Sequence, residues 1–366
     1  IANGARCSIG DQLHPSGLMD PATYRLIGAA YAEVEAKEAW CADAQNVADI
    51  GLLSLEAVQQ VRGSGDTRDV SGKIDAGAAR ILLEGKYLFD VIDMDADFGR
   101  YKVLILPDDV RVTPVLMEKI NAYLSTGGKL LATGRSGMNE AGDAFKLDLG
   151  VAWESVNPYQ PDYFKPLFPL RNLGDASFIF YAEGQKVRLV GGKELGKREN
   201  SYFNRDTFTF CSHQHTPDSH EYGGPGMVES DAGIYLAWNV FEDYSTKGSL
   251  VLKETVCYAL DRLLPSKLLQ TDLPAQGIVT VQQQPGESRY INHLLYASPV
   301  KRGDGIEVIE DILPVYNVQV TLRLPSPARK VYLAPQMLEL PYDQTDGELS
   351  YTVPKLECHQ MIVVEV

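Results

Sequence analysis

Between Val47 and Thr133 the chain alternates short, almost continuously apolar runs with amphipathic stretches, and few folds accept that pattern. Asp49-Ile-Gly-Leu-Leu-Ser54 reads as a strand, and a helical stretch follows near Ile74 to Tyr87. Phe89-Asp-Val-Ile-Asp93 reads as a second strand and Tyr101-Lys-Val-Leu-Ile-Leu-Pro107 as a third. A helix with Leu116, Ile120, Tyr123 and Leu124 on one face ends at Gly127-Gly128, and Lys129-Leu-Leu-Ala-Thr133 forms the next strand. Strands without polar alternation are buried on both faces, which in a βα series means a parallel sheet covered by helices. The spacing therefore predicts a doubly wound, flavodoxin-like domain.

The flanks read differently. The opening Ile1 to His14-Pro15 reads as a short strand and a polar loop, and Asp20-Pro21 starts a helix, since Asp caps free backbone N–H groups and Pro fits a first turn. Tyr24, Ile27, Tyr31 and Val34 give that helix one apolar face. A single βα unit cannot bury both faces, so this segment reads as the tail of a larger α/β domain. The first residue is Ile1 and not Met, which is expected where something has been removed or where a longer chain continues upstream.

Gly134 to Tyr244 is rich in Gly, Pro, Tyr and Asn, with strands expected only at Ser177–Tyr181 and Gly233–Trp238. A helix over Ser249 to Leu264, with Leu252, Val256, Ala259, Leu260 and Leu263 as its stripe, closes the domain. Beyond Pro274 the period changes to two: Val318, Val320, Leu322 and Leu324 share one side, and short strands at Tyr290–Tyr296, Arg329–Leu333 and Met361–Val366 are separated by turn residues, as in a sandwich. The expected fold class is α/β plus all-β: a flavodoxin-like parallel-sheet domain followed by a small β-sandwich.

Charge narrows the partners. Lys+Arg 34 against Asp+Glu 49 gives a net charge of −15, which argues against nucleic acid or an anionic membrane surface. No apolar run approaches the ~18 residues of a membrane-spanning helix. Five scattered cysteines, Cys7, Cys41, Cys211, Cys257 and Cys358, have no CxxC spacing, so neither a disulfide framework nor a standard zinc site is expected, and most read as small buried hydrophobes. The compartment stays open between cytoplasm and periplasm.

Three segments offer chemistry. The turn Gly134-Arg-Ser-Gly137 after the last expected parallel strand sits where class I glutamine amidotransferases and related hydrolases place a nucleophile, but it offers only Ser136, outside GxSxG spacing, and reads as a simple turn. Cys211-Ser-His213-Gln-His215-Thr-Pro-Asp218-Ser-His220-Glu221 is the densest donor cluster; its spacing matches no finger or HExxH helix. It reads as a loop of structural histidines without a metal, or as a polar loop reaching into a neighbouring active site, with Gly223-Gly-Pro-Gly226 continuing the loop. Asp11, Gln12 and His14 follow the expected first strand, where groups of this kind hydrogen-bond sugar hydroxyls or brace a loop. His293 and His359, in sandwich strands, read as packed or paired.

Ile9-Gly-Asp-Gln-Leu-His-Pro-Ser-Gly17, Val34-Glu-Ala-Lys-Glu-Ala-Trp40 and Asp49-Ile-Gly-Leu-Leu53, followed by Tyr101–Pro107, Gly127–Gly137 and Arg289-Tyr-Ile-Asn-His-Leu-Leu295, resemble a bacterial glycoside hydrolase group. That group joins an (α/β)8 barrel to a β-galactosidase-type trimerisation domain and includes α-L-fucosidase-like enzymes. The resemblance implies a remnant of the last barrel βα unit over 1–45, an amidotransferase-like trimerisation domain over 46–268 and a C-terminal β-sandwich over 269–366. It also implies catalytic carboxylates upstream of Ile1, no cofactor, a carbohydrate substrate for the whole protein and a trimer or dimer. The rival reading is a free-standing binding or assembly module.

Overall fold

Where the chain buries its backbone decides its architecture. The computed structural model describes residues 1–61 and 68–366, which divide into two units, 49–85 with 89–266 and 1–48 with 86–88 and 267–366.

The first of these is built on a mixed sheet. Its spatial order is Phe89–Ile92, Ile50–Leu53, Val103–Leu106, Lys129–Thr133, Gly233–Leu236, Asp218–Ser230, Lys193–Ser201, Asp162–Pro166 and Phe178–Phe180. The first five are parallel, and the rest add on antiparallel. The apolar runs 50–53 and 103–106 are buried at every residue, as strands covered on both faces must be. Helices Leu55–Val61, Arg68–Glu84, Pro114–Ser125, Val240–Lys247 and Leu250–Leu263 complete the unit. Pro114–Ser125 begins with Thr113 capping Leu116 N–H and buries Leu116, Ile120 and Tyr123.

The middle of the chain departs from expectation. Besides the expected strands at 178–180 and 233–236, it forms Asp162–Pro166, Lys193–Ser201, Asp218–Ser230 and the pair Val151–Val156 with Gln185–Leu189. Gly223 to Gly226, read as loop, lies inside a strand. The reason is packing: a Cβ on Gly226 would meet the Trp238 ring at 2.6 Å, so glycine lets the strand run beside a fully buried indole. Phe164 and Phe180 pack on the same ring at centroid distances of 5.6 and 4.8 Å.

The second unit is a two-sheet sandwich. One sheet orders Gln45–Asn46, Ile278–Gln284, Arg289–Tyr296, Cys358–Glu365, Lys330–Ala334 and Leu338–Glu339; the other orders Leu269–Thr271, Val315–Arg323, Glu348–Leu356 and Tyr342–Thr345. Val281, Leu294, Ile362 and Val364 meet Val318, Val320, Leu322 and Val353 in the core between them. The larger sheet is buried on its other face too, where Ile291, Tyr332, Met361 and Val363 pack under Trp40 and Cys41.

The N-terminal segment confirms one expectation and corrects another. Asp20 caps Thr23 N–H and the helix Pro21–Lys37 forms, but residues 1–19 contain no strand and are mostly exposed, having no neighbouring strand to take their hydrogen bonds. Tyr31 on the expected apolar face is 39% exposed. The cysteines also differ from expectation: all five are free, but Cys7 and Cys358 are exposed and the others half-buried. No helix of the described residues is long and apolar enough to cross a membrane.

A directed hydrogen-bond row ties this helix to the sandwich. Lys37 Nζ lies 3.1 Å from His359 Nδ1, His359 Nε2 lies 3.0 Å from His293 Nδ1, and His293 Nε2 lies 3.1 Å from Gln282 Oε1. An ammonium only donates, so each ring must accept on the Lys37 side and donate onward. Burial, together with the Lys37 charge, holds the histidines neutral, His293 down to about 3 and His359 to about 4. In the unfolded chain both return to the ordinary value, so the unfolded state binds more protons below pH 6.5. Stability is therefore full above pH 6.5 and falls as pH drops toward 4, at up to about 1.4 kcal/mol per pH unit for each histidine. Melting temperatures between pH 7 and pH 4.5 check this, and the fall should be smaller in His359→Gln.

Candidate functional site

The C-terminal ends of the parallel strands converge on one buried carboxylate. Asp108, two residues past Val103–Leu106, accepts hydrogen bonds from Thr133 Oγ1 at 2.7 Å, from Phe241 N–H at 3.3 Å and from Glu242 N–H at 2.8 Å. It thereby caps Val240–Lys247, whose own N-cap residue Asn239 makes no side-chain cap. Burial pushes Asp108 up to about 7, against the pull of those three donors. Neighbouring Ser136 is fully buried, and its Oγ accepts Val110 N–H at 3.0 Å. The serine thus braces the turn.

A cavity of about 650 Å³ opens at these strand ends. Arg135 pairs with Glu183 at 2.6 Å on its wall. Asp243, also on the wall, accepts Tyr181 N–H at 2.7 Å and Ala182 N–H at 3.2 Å, and burial raises its pKa. Sequence reasoning missed Asp108 and Asp243; the signal for the first was a carboxylate just beyond an apolar strand.

The structure distributes the three loop histidines among different surroundings. His213 is exposed, and its carbonyl, like that of His215, lies 3.5 Å from Cys211 Sγ. The His215 ring stands edge-on to Tyr181 at 5.6 Å. His220 Nδ1 lies 3.0 Å from Asp218 Oδ2 and 3.7 Å from Glu199 Oε2. Burial raises Asp218, but hydrogen bonding involving Glu199, the His220 N–H and Ser177 outweighs it and holds the group below its ordinary value. Among the described residues, Glu199, Asp218 and His220 are the one trio whose donor atoms lie within 4.8 Å of one another, a spacing within reach of a cation. The preceding turn is set by Asp206, which accepts Phe208 and Thr209 N–H, and it leaves Phe208 94% exposed.

Asp11, Gln12 and His14 lie in the other unit, all exposed, within the irregular segment before the first helix. A turn closes there, with Gly17 N–H on the His14 carbonyl at 2.7 Å.

Comparison with known proteins gives this geometry a context. Residues 80–151 match the family described as Beta-galactosidase trimerisation domain. Beta-galactosidase LacA of Lactobacillus acidophilus is 27% identical over 161 residues, 41% of this chain and 21% of that protein. Alpha-L-fucosidase isoenzyme 2 from Paenibacillus thiaminolyticus is 57% identical over 100% of this chain, with a TM-score of 0.95. A beta-galactosidase from Bacillus circulans sp. alkalophilus shares the fold at a TM-score of 0.58 and 14% identity, over 96% of this chain and 46% of its own. These matches place the chain with the C-terminal portions of glycoside hydrolases, around a β-galactosidase-type trimerisation domain. In particular it is similar to the Paenibacillus fucosidase, 55% of whose length it spans.

If Asp108 organises the strand ends, Asp108→Ala strands three buried donors and should cost about 2–3 kcal/mol, whereas Asp108→Asn, which keeps one acceptor oxygen, should cost less. Urea unfolding of both variants checks the order.

Proposed function

We propose that this chain is the non-catalytic portion of a carbohydrate-active glycoside hydrolase, supplying oligomerisation and support for an active site whose acid and nucleophile stand on an upstream (α/β)8 barrel. The observation that carries the reading is 57% identity to the fucosidase across the whole of this chain, which is 55% of that protein. The proposed division is a barrel remnant over 1–45, a flavodoxin-like, amidotransferase-like trimerisation domain over 46–268 and a β-sandwich over 269–366. On this reading barrel neighbours accompany the segment before Pro21 that here finds no strand partner.

The assembled protein is a homo-oligomer, trimer or dimer, acting on a fucoside or galactoside. Asp11, Gln12 and His14 then contact the sugar. The loop bearing His213, His215 and His220 reaches into a neighbouring active site; the exposed rings of Tyr202, Phe208 and Phe210, close to it in sequence, support this, because several large apolar side chains left together in water mark a contact surface.

Glycoside hydrolysis needs two positioned carboxyl groups, so the chain alone should not turn over nitrophenyl α-L-fucoside or β-D-galactoside, whereas the protein including the upstream barrel should. Hydrolysis by the chain itself would overturn the proposal. In the longer protein, Asp11→Asn and His14→Ala should each lower kcat/KM by about tenfold or more with an unchanged melting temperature. A loss that tracks stability instead would make these residues scaffold.

A further inference from the structure

The strand pair that carries the histidine-rich loop brings two carboxylates and an imidazole together at the loop's base. We infer that Glu199, Asp218 and His220 bind a divalent cation of the zinc type, which ties the two stems of the loop over 202–217 to each other. Glu199 lies on Lys193–Ser201 and the other two on Asp218–Ser230, where Ser201 pairs with Asp218 and Glu199 with Tyr222. The loop leaves one strand after Ser201 and enters the next at Asp218, so an ion held by all three residues closes it at its neck. Spacing within 211–221 hides such a site, because Glu199 comes from the paired strand.

The distances suit a metal. His220 Nδ1 lies 3.0 Å from Asp218 Oδ2 and 3.7 Å from Glu199 Oε2, and the three donor atoms all fall within 4.8 Å of one another. Ligand atoms at about 2.0–2.1 Å around a tetrahedral ion stand about 3.4 Å apart, between the two values found for the ring nitrogen.

A separate observation concerns the buried member. The Asp218 side chain is 10% exposed, and its Oδ1 takes the His220 backbone N–H at 2.8 Å. Its Oδ2 is enclosed and has no hydrogen-bond partner among the described residues, although it is the oxygen turned toward the His220 ring. The ring faces that oxygen without donating to it. A buried carboxylate oxygen left without a donor is costly, and a cation between oxygen and ring removes the cost.

The donor set selects the class of ion. Among the described residues no lysine or arginine forms an ion pair with either carboxylate; the group beside them is an imidazole, whose free nitrogen is a metal ligand. One nitrogen and two carboxylate oxygens suit zinc and its first-row neighbours, whereas calcium and magnesium take oxygen-rich sets. His220 is 78% exposed, which gives the ion a way in and leaves a position for water.

This inference goes beyond the proposed function and stands without it, because it concerns cation binding by this chain alone. The test is titration calorimetry of the metal-stripped chain with Zn²⁺, Ca²⁺ and Mg²⁺. One zinc per chain is expected, with a Kd of about 10 μM or tighter. His220→Ala and Asp218→Asn should each weaken it about tenfold or more, while Cys211→Ser, His213→Ala and His215→Ala should leave it unchanged. Circular dichroism establishes that the variants are folded, and His220→Ala removes an exposed side chain. A second measurement reads the loop: trypsin should cut after the exposed Arg205 severalfold more slowly with zinc than without, and His220→Ala should abolish the difference. The inference is overturned by no saturable zinc binding up to about 1 mM, by binding that both ligand variants retain, or by binding lost in the Cys211, His213 or His215 variants, which puts the metal on the loop instead. Calcium or magnesium binding tighter than zinc, or Arg205 cleavage indifferent to zinc, also overturns it. None of these readouts involves hydrolysis of a glycoside, so the two readings fail separately.

Discussion

One buried ion pair holds the antiparallel half of the large sheet in register. Asp162 and Arg198 are each 1% exposed, with Arg198 Nε 3.5 Å from Asp162 Oδ2. The carboxylate also accepts Trp238 Nε1–H and Asn157 Nδ2–H, each at 2.5 Å, while Arg198 Nη1 donates to the Gln185 carbonyl at 2.7 Å and Nη2 to that of Gly223. Four strands and the turn before the Val240 helix thus share one polar knot. Burial pushes Asp162 up to about 8, against the Trp238 hydrogen bond and the Arg198 charge, so the pair gains little in net stability, but a slipped register would leave a buried polar group without its partners, and that cost specifies the arrangement. The aromatic cluster around Trp238 closes over the knot and keeps water from it.

What the sequence could disclose follows from the same contrast. The parallel half was legible because strands buried on both faces read as unbroken apolar runs and their helices as amphipathic ones: Ile50–Leu53 and Val103–Leu106 are cases in point. The antiparallel half was not. Lys193–Ser201 and Asp218–Ser230 pair through repeated register shifts, which erase the two-residue period, and their glycines answer to bulky neighbours rather than to turns. The missing first strand is the opposite error, an apolar beginning at Ile1 with no partner to make it a strand. In the site, the histidine-rich loop was visible as composition, but its three rings have three different environments that spacing does not encode. Asp108 was invisible because a lone Asp after a strand belongs to no motif; only the helix arriving more than a hundred residues later gives it work.

The trimerisation-domain match, residues 80–151, spans three of the five parallel strands and the turn braced by Ser136. At that turn a nucleophile would have to present its oxygen to a ligand. Here the oxygen is spent on Val110 N–H inside the protein.

The row from Lys37 through His359 and His293 to Gln282 carries a consequence of another kind. Its last carboxamide reaches the carbonyls of Ile1 and Ala2, at 3.3 Å each, so the row joins a helix to the chain's first residues. Because the ammonium at one end can only give, every proton in the row points the same way, and no single ring can turn over alone. The sense in which the inner imidazole carries its hydrogen is written by a lysine it never touches. Polarity in this unit is thus a property inherited along a line of side chains, from a helix into the interior of a sheet.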